Sequence, residues 1–133
     1  MTNKTQAKLE EVMKTLSYEF REPEWLIEAL AGNKRLAGVG HRLINMVITE
    51  WAFDEGLLIG QTNQQLQQTV SNPRLVAIFD MQGFASCIMN IPSQQGGVSA
   101  RTNAATVEAI IGAIYKDGGM EPAKAAMTLF GII

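Results

Sequence analysis

Apolar residues recur over residues 5–16 at Leu9, Val12, Met13 and Leu16, the three- and four-residue steps of one helix face. Lys8, Glu10, Glu11 and Lys14 fill the other side. Tyr18, Phe20 and Pro23 interrupt the pattern, and Pro23 suits the first turn of a short helix carrying Trp25, Leu26, Ala29 and Leu30. Gly32 is a good stop for it. From Asn33, read as an N-cap, a longer helix runs to about Phe53 with Leu36, Val39, Leu43, Ile44, Met46, Val47, Ile48 and Trp51. These cover most of its circumference, which predicts a central, buried helix. Gly38 and Gly40 within it each cost about 1 kcal/mol relative to alanine, so close approach of another backbone is expected there.

A loop from Asp54 to Gly60 leads into a polar helix with Gln64, Gln65, Gln67 and Gln68, a solvated face. Ser71-Asn72-Pro73 restarts the chain, with Asn72 as cap and Pro73 at the first helical position of a helix holding Leu75, Val76, Ile78 and Phe79 and ending near Gly83. Asn90 to Arg101 contains Pro92, Gly96 and Gly97 and reads as the most mobile loop. Thr102 or Asn103 starts a strong helix with Val107, Ile110, Ile111 and Ile114, ended by Asp117-Gly118-Gly119, and residues 120–131 form the last one. No segment shows the sustained two-residue alternation of a strand. The pattern predicts an all-α bundle of about seven helices, with no internal repeat and no linker.

The length of 133 residues suits one domain with one core, and 47% hydrophobic with 18% charged residues is a globular composition. No apolar run reaches the ~18 residues of a membrane span, and the first residues lack the features of a secretory or transit signal. A cytoplasmic or nuclear protein, without a membrane partner, is expected. Cys87 is the one cysteine and His41 the one histidine, which excludes an intrachain disulfide and a cysteine-based zinc site. Cys87 reads as a small buried apolar residue in a helix. The net charge is −2, and the 11 Lys and Arg are scattered, with Lys34-Arg35 the only adjacent pair. Proteins that hold duplex nucleic acid unaided usually carry a basic stripe, so tight binding by this chain alone is disfavoured.

Two segments together resemble a known family. Asn33-Lys34-Arg35-Leu36-Ala37-Gly38-Val39-Gly40-His41 resembles the ribonuclease III signature N-E-R-L-E-F-L-G-D. The run from Val107 to Gly119, V-E-A-I-I-G-A-I-Y-K-D-G-G, is similar to the family's F-E-A-L-I-G-A-I-Y-L-D-G-G and is the more specific match. Leu16-Ser17-Tyr18-Glu19-Phe20 and Val70-Ser71-Asn72-Pro73-Arg74-Leu75-Val76 resemble the family's L-G-Y-x-F and V-S-N-x-x-L-A, in family order. The resemblance implies a helical bundle that usually forms a homodimer. It also implies that active members bind magnesium through acidic side chains of the two signature helices and hydrolyse double-stranded RNA. Magnesium is a hard ion that takes oxygen ligands, activates water and neutralises phosphate charge.

Carried over one position at a time, the acidic set is largely missing. The first signature glutamate falls at Lys34, the metal-binding glutamate at Ala37, and the aspartate four residues later at His41. On the second helix the aspartate falls at Ala105, and Glu108 alone is retained. A further acidic position falls at Glu55 before Gly56, or at Ile59 before Gly60. Glu108 is the one residual catalytic or metal position, and no bound magnesium or other cofactor is expected. Lys34, Ala37 and His41 share one face of the long helix, which predicts that Lys34 and His41 pair with Glu108 in a small polar cluster. The alternatives are that Glu108 is a solvated helix residue and His41 a hydrogen-bonded core residue.

The family's aromatic plug, which inserts into the partner subunit, falls at Gly38. A dimer interface with different packing is therefore expected at Gly38 and Gly40. The leading expectation is a catalytically inactive ribonuclease III-like domain, residues 1–133, with no double-stranded-RNA-binding domain. It would act as an RNA-associated binding or scaffold dimer that holds double-stranded RNA weakly. One alternative is a regulatory dimerisation partner of an active ribonuclease III; the dimer itself is expected as a homodimer or as a heterodimer with a ribonuclease III-like chain. A second is an active double-stranded-RNA endonuclease with an atypical His41–Glu108 acid–base site.

Overall fold

The computed structural model describes residues 3–89 and 100–133, and these form helices and connecting turns. In chain order they are α1 (Asn3–Leu16), α2 (Glu24–Leu30), α3 (Lys34–Asp54), α4 (Ile59–Thr69), α5 (Asn72–Met81), α6 (Ala100–Gly118) and α7 (Met120–Leu129), with a 3-10 turn at Phe84–Cys87. Among the described residues there is no strand, and no helix is long and apolar enough to cross a membrane. The all-helical, seven-helix expectation therefore holds.

Local chemistry explains most boundaries. The Asn33 side chain accepts the main-chain N–H groups of Arg35 and Leu36, which fixes the start of α3. Gly32 takes a left-handed φ of 82°, which releases the chain from α2. Three boundaries differ from expectation. The loop after α3 ends earlier, because the Gln61 side chain accepts the Leu58 N–H and α4 begins at Ile59. The cap of α5 is Ser71, whose hydroxyl accepts from the Arg74 N–H, so Asn72 is already helical. Of the segment 90–101 read as a loop, residues 90–99 lie outside the described residues, while 100 and 101 begin α6.

The central helix is α6, in place of α3. Val107, Ala109, Ile110, Ile111, Ala113 and Ile114 are all fully buried, because α6 is packed against α2, α3, α5 and α7. Each large aliphatic side chain so placed contributes about 1.5–3 kcal/mol relative to exposure. Phe79, Phe84 and Phe130 extend the core through edge-to-face contacts at 6.2 and 5.9 Å. Cys87 is buried as expected, though in the 3-10 turn. In α3 only one face is buried, at Leu36, Ala37, Gly40, Ile44, Ile48 and Ala52. Met46, Trp51 and Phe53 are exposed.

Where α3 and α6 cross, their backbones touch. A Cβ on Gly40 would overlap the carbonyl oxygen of Glu108, and one on Gly112 would overlap the carbonyl of Leu36. The close approach expected at the α3 glycines is thus realised at Gly40 and within the chain. At Gly38 it is not, since a Cβ there would meet only the Arg42 guanidinium, at 3.4 Å.

A second tie joins the α1–α2 connection to the end of α6. The Tyr18 hydroxyl donates to Asp117 Oδ2 at 2.6 Å, and the backbone N–H groups of Arg21 and Glu22 donate to the same carboxylate at 2.9 Å each. Burial raises the Asp117 carboxyl, but these three hydrogen bonds and the Arg21 charge outweigh it and hold it below the usual range. A Cβ on Gly118 would overlap the Tyr18 hydroxyl and crowd the Pro122 ring, so a side chain there would have to displace the Tyr18–Asp117 contact.

Candidate functional site

The α3–α6 crossing sets the two signature helices face to face, and its spacing decides which side chains meet. His41 follows Gly40, and Glu108 is the residue whose carbonyl Gly40 touches. His41 Nδ1 and Glu108 Oε2 consequently lie 2.6 Å apart. The Glu108 side chain is 14% exposed and that of His41 is 47% exposed, so the pair forms a lip with its carboxylate tucked in and its ring facing solvent. An ionised carboxylate only accepts, so Nδ1 carries the proton of this bond. Nε2 of His41 in turn lies 3.3 Å from Asn45 Nδ2, so the ring bridges the two helices' polar groups from Glu108 to Asn45. Asn45 Oδ1 is buried without a partner among the described residues. Burial pushes the Glu108 carboxyl up, the hydrogen bond and charge of His41 pull it back, and the net is a rise.

Of the other expected members, Lys34, Glu55 and Ile59 lie apart from this pair, while Ala37 and Ala105 stand one turn before His41 and Glu108. Lys34 is exposed in the first turn of α3, seven residues before His41, about 10 Å along the axis. Among the described residues the one ion pair is His41–Glu108, so the expected contact of Lys34 with Glu108 is not made. Ala37 is buried at 7% exposure in the α3 face toward the core, and Ala105 is packed against that core one turn before Glu108. Glu55 and Ile59 are both exposed at the far end of α3. Among the described residues no three His, Cys, Asp or Glu side chains converge as a metal-binding group. Asn45 went unrecognised in the sequence, although its position four residues after His41 placed it on the same face.

Magnesium takes near-octahedral oxygen ligation and binds through carboxylates. Lys34 carries the wrong charge, Ala37 and Ala105 have no ligand atom, and one oxygen of Glu108 is engaged by His41. This donor set does not fit the ion.

Of the two glycines expected at a dimer interface, Gly40 is buried against α6 of its own chain and is closed to a partner. Gly38 is half-exposed, with the Arg42 guanidinium donating to its carbonyl at 3.2 Å. The outward stripe of α3 carries Val39 and Leu43, half-buried, then Met46 at 58% and Phe53 at 81% exposure.

No family model matches the chain. Among curated proteins, it is 32% identical to ribonuclease 3 of Alkalilimnicola ehrlichii over 126 residues, covering 82% of this chain and 53% of that protein. It is 28% identical to ribonuclease 3 of Chloroflexus aggregans, covering 84% of this chain and 51% of that one. The chain thus spans about half the length of the curated relatives it matches. Among solved structures, a nuclease domain of ribonuclease III from Campylobacter jejuni superposes with a TM-score of 0.80 at 23% identity, covering 92% of this chain and 95% of that one. That structure concerns flexibility in a region involved in dimer formation. A second structure of the same nuclease domain gives 0.77 at 22% identity, over 98% of this chain. The fold is that of a ribonuclease III nuclease domain, and about four-fifths of the chain is similar in sequence to ribonuclease 3 proteins.

Proposed function

We propose that this chain is a non-cleaving ribonuclease III-like domain that pairs with a second such chain and serves RNA processing by binding or scaffolding. The observation that carries the proposal is the His41–Glu108 hydrogen bond. It occupies the crossing where the family resemblance puts a cage of carboxylates, and it satisfies the one remaining carboxylate with an imidazole. Phosphodiester hydrolysis in the family's manner needs a metal-bound water and a cation against the phosphate. A single carboxylate engaged by His41 supports neither.

Pairing is supported by the outward stripe of α3. Met46 and Phe53 present large apolar surface that nothing in the chain covers among the described residues. A second reading, a regulatory partner of an active ribonuclease III-like chain, draws on the same stripe and on the net charge of −2, which favours a protein surface over a phosphate backbone.

The test is incubation of the purified chain with duplex RNA and magnesium or manganese, alongside filter binding of the same RNA. The expected result is intact RNA. Retention of duplex RNA on the filter favours the scaffold, and retention only after an active ribonuclease III chain is added favours the regulatory partner. Cleavage abolished by Glu108→Gln would overturn both readings.

A further inference from the structure

A cavity of about 400 Å3 opens between α2, the first turns of α3 and the last turn of α6, away from the His41–Glu108 pair. Trp25, Asn33, Arg35, Leu36, Val39 and Lys116 line it. Its volume falls in the ~300–1,000 Å3 range of small-ligand sites. Three features of the lining are unusual for a chain of net charge −2. Two cations, Arg35 and Lys116, face one cavity, both are exposed, and neither forms an ion pair among the described residues. Trp25 is half-buried and lines the cavity, and the Lys116 Nζ stands over its ring, 5.5 Å from the centroid, so a base stacking on that face would displace the ammonium. Leu36 and Val39 supply an apolar wall beside it. Two nearby carboxylates are already engaged: Glu28 accepts from the amide of the cavity-lining Asn33 at 3.1 Å, and Asp117, next to Lys116, accepts from Tyr18, Arg21 and Glu22.

From this lining we infer a binding site for a nucleoside 5′-monophosphate, either free or as the phosphorylated 5′ end of an RNA strand. The ligand must be planar and apolar at one end, because a bare anion would leave Trp25, Leu36 and Val39 unused. It must be anionic at the other, because a neutral aromatic would leave two cations unanswered. Bases stack on tryptophan irrespective of identity, and an arginine fork matches two phosphate oxygens. Lys116, displaced from the ring by the base, is a long flexible cation free to turn toward the phosphate. The inference rests on this cavity alone and is independent of whether the α3–α6 crossing cleaves RNA.

Trp25 reports directly once Trp51 is replaced by phenylalanine, since the chain has two tryptophans. Fluorescence of the Trp51→Phe protein would be titrated with adenosine 5′-monophosphate, with inorganic phosphate, and with one RNA oligonucleotide bearing either a 5′-phosphate or a 5′-hydroxyl. Saturable quenching by the nucleotide, with affinity lowered about tenfold or more in Arg35→Ala and Lys116→Ala, is expected for a charge-assisted site. Both residues are exposed, so circular dichroism should show the fold unchanged in these variants. Tighter binding of the 5′-phosphorylated RNA than of the free nucleotide identifies an RNA end as the source, and equal or weaker binding identifies the free nucleotide. Three results would overturn the site: no saturable quenching by any ligand, equal quenching by inorganic phosphate and nucleotide, or affinity unchanged in the Arg35→Ala/Lys116→Ala double variant.

Discussion

Gly40 of α3 rests against the backbone carbonyl of Glu108 on α6, and this contact is what brings the His41 ring to the Glu108 carboxylate. A side chain at position 40 would push the helices apart and separate the pair. Gly40→Ala should therefore destabilise the chain by about 1–3 kcal/mol, the cost of overpacking a rigid contact. Gly112→Ala should cost a similar amount, for its Cβ would strike the Leu36 carbonyl. Gly38→Ala should have the opposite sign and stabilise by up to about 1 kcal/mol, because its Cβ meets only a flexible guanidinium and alanine favours the helix. Urea denaturation of the three variants checks all three signs.

Removing one partner of the site pair should cost more than removing both charges. His41→Ala leaves a largely buried carboxylate without its hydrogen bond, a loss of about 1–3 kcal/mol. The same substitution in a Glu108→Gln background should cost clearly less, because no charge is then stranded. A double-mutant cycle in urea measures the difference, and additive effects would show that the pair is not coupled.

Glu108 also sets a pH dependence. Its carboxyl is raised in the folded chain, chiefly by burial, against the lowering pull of His41. The folded state therefore holds this proton more tightly than the unfolded state does. The resulting contribution is fully present below the unfolded carboxylate value and is lost as pH rises through the higher folded value. Across that window Glu108→Gln should remove a decline in stability that the parent chain shows, which thermal unfolding at a series of pH values reads directly.

Asp117 behaves in the opposite sense. Its burial is outweighed by the Tyr18 hydroxyl, the N–H groups of Arg21 and Glu22 and the Arg21 charge, so its folded value is depressed. Its contribution is present above the unfolded carboxylate value and is lost as pH falls through the folded one. Asp117→Ala should cost about 1–3 kcal/mol at neutral pH, since it removes a charged acceptor of three hydrogen bonds. Burial first, and then the hydrogen bond and charge of Asp117, push the Tyr18 phenol up to about 12. Spectrophotometric titration of a Tyr115→Phe variant should find it there.

The outward stripe of α3 gives a prediction about assembly. Met46→Glu and Phe53→Glu place charge on exposed apolar positions, so they should leave the monomer's stability within about 0.5 kcal/mol. If the stripe pairs with a second chain, both should shift sedimentation toward the monomer. A parent chain that already sediments as a monomer at micromolar concentration would contradict pairing.

Much of this arrangement was legible in the residues themselves. The Asn33 cap, the stops at Gly32 and Gly83, and the apolar stripes of α1, α2 and α6 follow from local chemistry and periodicity, which act over a few residues. The resemblance at Asn33–His41 and Val107–Gly119 singled out the two helices that cross at Gly40, where the structure sets His41 against Glu108. What could not be read depends on contacts between distant segments. Apolar residues around α3 suggested burial on all sides, but one face is left outward at Met46 and Phe53. Gly38 and Gly40 look alike in sequence, and only the position of α6 separates a backbone contact from open surface. Lys34 shares a helix face with His41, yet the length of two helical turns keeps it away from Glu108.

Calorimetric titration with manganese probes the α3–α6 crossing most directly, because it reads ligation without depending on an RNA substrate. The parent chain should give no saturable heat, whereas a variant carrying Ala37→Glu, His41→Asp and Ala105→Asp together should bind the ion through the restored carboxylates. Stoichiometric binding by the parent chain, abolished by Glu108→Gln, would contradict the account.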